Sequence, residues 1–94
     1  MAVKVMIRRR VSTDRAKAAG DLLGQLRMLA NSQEGYGSGE TLRNYDDPEE
    51  VLVISTWQSP EAWGKWFTSL ERRELQSQVD ELLGSRTTYT VYHH

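Results

Sequence analysis

The chain has no cysteine, which rules out a disulfide framework and any thiolate metal site. That suits a reducing compartment, so the cytoplasm is the expected location. Long apolar runs are missing as well. None approaches the roughly 18 residues that would read as a bilayer span, and no membrane partner is expected. Neither sign of charge dominates: 12 Lys and Arg stand against 13 Asp and Glu, a formal net charge of −1. That balance leaves no basic footprint for nucleic acid. Histidine occurs only as His93 and His94 at the extreme end, where nothing would fix them, so no Ser-His-Asp or Cys-His arrangement can be built. No His/carboxylate spacing suggests a metal, and none is expected. Gly35, Gly37 and Gly39 have neither a following lysine nor a helix start, so they do not form a phosphate-binding loop. The segment Met1 to Arg8 lacks the ordered charged, apolar and small-residue regions of an export signal, and starts directly as a strand.

What remains is one soluble-type domain, residues 1–94, because a chain of this length rarely divides into two cores. Val3 to Val11 reads as a strand with Val3, Val5, Ile7 and Val11 on one face and Lys4, Met6, Arg8 and Arg10 on the other. Arg9 interrupts the apolar face. Ser12, Thr13 and Asp14 offer N-cap oxygens for a helix whose stripe is Ala16, Ala19, Leu22, Leu23, Leu26, Leu29 and Ala30. Gly20 and Gly24 within it would permit close approach to a sheet. Asn31 to Gly39 ends that helix, and Tyr36 to Tyr45 is a weak strand in which Gly37 and Gly39 mark a bulge or a close contact.

Asp46 to Glu49 is a turn around Pro48. Val51 to Trp57 is the strongest strand. Its four consecutive apolar residues point alternately to both faces, so neither face suits water. Ser59-Pro60 starts a short helix carrying Ala62, Trp63, Trp66 and Phe67. Ser69 caps another, with Leu75, Val79, Leu82 and Leu83 on one side and Gly84 as its stop. Glu71 to Glu74 reads as a solvated helix face. Thr87 to Tyr92 closes the chain as a strand.

The order is βαββα(α)β, which points to an α+β, ferredoxin-like fold: one antiparallel sheet with its helices on one face. The apolar strand around Ile54 then needs cover on the open face as well. A second copy of the chain, a homodimer paired through that sheet face, is the simplest closure.

Gly35-Tyr36 after the first helix, the run Val51 to Ser59, then Ala62 and Trp66, resemble the antibiotic biosynthesis monooxygenase family. The shared feature is a strand ending in Trp, a short polar step, and a helix with a second aromatic residue. The resemblance runs from Val3 to Tyr92. It implies a pocket between sheet and helices and a dimeric α/β barrel made from two such sheets. It further implies oxygenation of a small aromatic or quinol-type substrate, with no bound cofactor.

In the family's heme-degrading branch, the function lies with an Asn on the first strand, a Trp on the short helix and a His ten residues further on. Trp66 matches that Trp, while Ile7 stands at the strand position and Gln76 at the His position. A glutamine amide is a poor donor to iron, so heme degradation is the less favoured activity. The substrate-binding candidates are Trp66 as an indole wall, Gln76 and Arg9 as polar groups, and Ile7; no catalytic residue is singled out. The competing reading is a non-catalytic dimeric barrel that binds a small hydrophobic ligand.

Overall fold

The computed structural model describes every residue from Met1 to His94. Its elements are β1 (Val3–Arg10), α1 (Ala16–Asn31), β2 (Tyr36–Arg43), β3 (Glu50–Trp57), α2 (Pro60–Phe67), α3 (Leu70–Leu83) and β4 (Thr88–His93). The four strands form one antiparallel sheet in the order β2-β3-β1-β4. This is the ferredoxin-like α+β arrangement that the element order implies.

Strand alternation sorts the two faces. In β1, Val3, Val5, Ile7 and Arg9 are buried, while Lys4, Arg8 and Arg10 are exposed. Opposite them on β3 lie Trp57, Ser55, Val53 and Val51, in register. This face carries the core, where Leu26 of α1, Trp63 and Trp66 of α2, and Val79 of α3 close over Val3, Val5, Ile7 and Trp57. The opposite face of β3 presents Leu52 and Ile54, both half-buried, beside Met6 of β1 and Leu42 of β2, with Tyr92 of β4 beyond β1. No helix covers it.

Several local expectations need correction. The Ser12 side chain makes no capping bond; a 3-10 turn over Thr13–Arg15 leads into α1 instead. Gly20 and Gly24 have open space where a Cβ would stand, so neither brings α1 close to the sheet. β1 stops at Arg10, and the Val11 amide bonds the Glu49 carbonyl at 2.8 Å. β2 ends at Arg43, short of Tyr45. β4 starts at Thr88 and leaves the buried Thr87 free for a side-chain network. Arg72 does not belong to a solvated face: it is 8 % exposed and points into the core side of α3.

Other readings hold. The ladder shifts register between Tyr36 and Ser38, and a Cβ on Gly37 would lie 2.9 Å from the Thr56 carbonyl oxygen. Ser59 and Ser69 accept from the amides of Ala62 and Arg72, capping α2 and α3.

Candidate functional site

A cavity of about 110 Å³ lies between the helices and the covered face of the sheet. Its apolar end is built by the turn from β3 to α2. Trp57 closes the strand, Ser59 caps the helix and Pro60 fixes its first turn. Trp63 and Trp66, three residues apart, then face the same way along α2 and come down on Trp57. The Trp57 and Trp66 rings stack with centroids 6.4 Å apart; Trp63 meets Trp57 edge-on at 5.8 Å, and Tyr36 does so at 5.3 Å. The Trp57 indole N–H donates to the Ser55 hydroxyl at 3.1 Å, so its polar atom is satisfied within the core.

Gly35 sets how closely this turn can pack. Its φ is +87°, and a Cβ there would lie 2.5 Å from the Cβ of Ala62. Its carbonyl accepts from the Gln58 amide at 2.7 Å. The α1–β2 corner is thereby pressed against the first turn of α2, which fixes the indoles over the sheet. The pairing of Gly35 with Ala62 in the sequence pattern has this steric cause.

The other end is polar. Arg9 interrupts the covered face of β1, is 8 % exposed, and donates through Nη2 to Gln76 Oε1 at 3.1 Å. Its Nε is buried and has no hydrogen-bond partner. Burial is the main force holding the Arg9 guanidinium below its ordinary basicity; Tyr89 and Asp80 oppose this, and Arg72 adds to it. An arginine so placed still carries its charge. Gln76 is engaged at both ends, since Nε2 donates to Asp80 Oδ1 at 2.8 Å and to the Thr87 hydroxyl at 3.0 Å.

Arg72 is held from three sides. Nε donates to the Phe67 carbonyl at 2.7 Å and Nη1 to the Tyr89 hydroxyl at 2.9 Å. Its guanidinium lies over the Phe67 ring, 4.4 Å from the centroid. The side chain thus ties the end of α2 to α3 and β4.

All four sequence-derived candidates, Trp66, Gln76, Ile7 and Arg9, lie in the wall of this one cavity. Arg72, Tyr89 and Ser55 also line it and were not among them. Arg72 carried a signal in its spacing: Arg72, Gln76 and Val79 recur at helical intervals and all are buried. The residues do not fit heme. The lining holds no His, Cys or Met that could ligate heme iron, and the Gln76 amide is occupied by Arg9, Asp80 and Thr87.

The fold and cavity define a class: a ferredoxin-like domain with an aromatic-walled chamber between its sheet and helices. Within that class, the chain belongs to the antibiotic biosynthesis monooxygenase family, whose model matches residues 2–78. No curated protein matches the sequence.

Among solved structures, a conserved protein from Methanosarcina mazei Go1 superposes with a TM-score of 0.89 at 17% identity, covering 99% of this chain and 92% of that one. Rv0793 from Mycobacterium tuberculosis gives 0.86 at 22%, covering 100% and 95%. SnoaB, a cofactor-independent oxygenase from Streptomyces nogalater, gives 0.85 at 15%, covering 99% and 92%. At these identities the likeness establishes a common fold.

Proposed function

We propose that this protein is a monooxygenase of a small aromatic or quinol-type substrate, working in the cytoplasm without a bound cofactor. The observation that carries this reading is the chamber itself, walled by Trp57, Trp63 and Trp66 above the sheet. Indole faces stack on a flat substrate and exclude water from the reacting carbon. SnoaB, similar in fold, is described as a cofactor-independent oxygenase, which supports the same chemistry here.

In such a reaction the substrate supplies the electrons. An activated CH2 loses a proton, and the resulting anion passes one electron to O2. The substrate radical and superoxide combine into a C–O bond, and the proton returns to the outer peroxide oxygen. Loss of water leaves a carbonyl: one oxygen atom enters the product, and the other departs as water. The protein holds the plane of the substrate against Trp66, and the Arg9 cation at the polar end of the chamber offsets negative charge carried by the bound molecule.

One observation favours the non-catalytic alternative. Glu40, on the exposed β2, is the only carboxylic acid among the lining residues, so no buried base is poised to take the first proton. The oxygenase reading therefore applies to substrates acidic enough to ionise unaided. A second copy of the chain completes the assembly by covering Leu52 and Ile54 on the open sheet face.

The test is oxygen uptake with a panel of anthrones and quinols, comparing wild type with Trp66→Phe. Wild type should consume oxygen with at least one member, and Trp66→Phe should do so about tenfold more slowly. No turnover across the panel by folded protein would leave only the ligand-binding alternative.

A further inference from the structure

The chain as a whole carries a net charge of −1, yet its cavity is lined by three arginines, Arg9, Arg27 and Arg72, against the single exposed Glu40. Two of the three, Arg9 and Arg72, are each 8 % exposed. Neither forms an ion pair; the only ion pairs in the molecule join Arg10 to Asp47 and Glu49. Asp80 is near enough to be felt by Arg9, but its Oδ1 accepts from Gln76. Buried cations without a counter-charge are costly, and proteins normally pair them. Here the pairing is absent while the geometry is firmly held: Arg9 through Gln76, and Arg72 through Phe67 and Tyr89. Arg9 keeps a buried Nε with no partner at all.

We propose that the missing counter-charge is the ligand's own: the cavity takes a flat apolar acid whose carboxylate sits on Arg9 within reach of Arg72, its ring among the indoles. This rests on the chamber being a ligand site and adds the class of ligand. The anion is a recognition group, separate from any carbon that reacts. A guanidinium suits that task because its planar array of N–H donors matches a carboxylate. The apolar end bounds the rest of the ligand: a cavity of about 110 Å³ is of the order that admits a single aromatic ring, and a second fused ring reaches toward the open mouth, where Arg27 donates to Thr41 at 3.3 Å.

All three tryptophans of the chain line the cavity, so their indole N–H resonances report its occupancy in a 15N-labelled sample. The experiment titrates wild-type protein with 2-naphthoate and with the uncharged isostere 2-naphthamide, following those three signals. Naphthoate should bind at least about tenfold more tightly, the scale of one charge-assisted hydrogen bond. In Arg9→Met that preference should disappear, with the loss of affinity falling mainly on naphthoate.

Equal affinity of the two compounds for wild type overturns the proposal and leaves the chamber standing as a ligand site. Failure of both to move any indole signal overturns the proposal together with the reading of the chamber. The wild-type comparison decides the matter even if Arg9→Met does not fold. Because the readout is binding, it is independent of whether oxygen is consumed.

Discussion

The two faces of the sheet are written by the same strands and have opposite fates. On the covered face, Val3, Val5 and Trp57 are at most 2 % exposed, and the indoles of α2 close over them. On the other, Leu52 and Ile54 are half-buried, while Leu42 and Tyr92 are 42 % and 50 % exposed. Apolar side chains left in this state on a sheet mark a surface that pairs with something. The unexpected polar groups are on the covered side, where two guanidiniums are sunk into the core. The open face is apolar without being core, and the covered face is core without being wholly apolar. The proposed assembly draws on the first pattern and the proposed binding site on the second.

The comparison is most easily broken at Trp57. Trp57→Ala should lower unfolding stability by about 4 kcal/mol in a urea melt, as befits a large side chain with no room to collapse. A loss below about 1 kcal/mol would mean that the covered face is not the structural core. The two buried arginines should then separate from each other. Arg72→Met removes bonds to Phe67 and Tyr89 and should cost about 2 kcal/mol. Arg9→Met removes a desolvated charge held by a single hydrogen bond and should stay within about 1 kcal/mol of wild type. Equal losses for the pair would make Arg9 a structural residue and weaken its assignment to ligand.

The smallest effect belongs to the surface pair of Arg10 and Asp47, 2.7 Å apart. The hydrogen bond from Arg10 holds the Asp47 carboxyl below its usual range. A depressed carboxylate stabilises the fold above the unfolded value and loses that contribution as pH falls through the folded one. Asp47→Asn should therefore be slightly destabilising at pH 7, with the difference shrinking once pH drops below about 4. A difference that grows on acidification would contradict the assigned pairing.

Much of the fold was legible in the sequence because alternation and capping act locally. The run from Val51 to Trp57, the Ser59-Pro60 start and the Gly84 stop each declare themselves within a few residues. The candidate site was legible at Trp66, Gln76, Ile7 and Arg9, all of which line the cavity. Arg72 was obscured by its neighbours: within Glu71-Arg72-Arg73-Glu74, a charged residue looks solvated. Only the Phe67 carbonyl and the Tyr89 hydroxyl, both brought close by the fold, give it a reason to be buried. The meaning of Gly35 was hidden for the same reason, since its constraint is the Cβ of Ala62, 27 residues further along the chain.

The division of labour between the faces is tested most directly by the mass of the particle in solution. Sedimentation equilibrium at micromolar concentration should report twice the 10.8 kDa of one chain, and Ile54→Lys, which places a charge in the middle of the open face, should halve it. A wild-type protein that sediments as a stable 10.8 kDa species would show that the open face needs no partner, and the account of two faces with two tasks would fail.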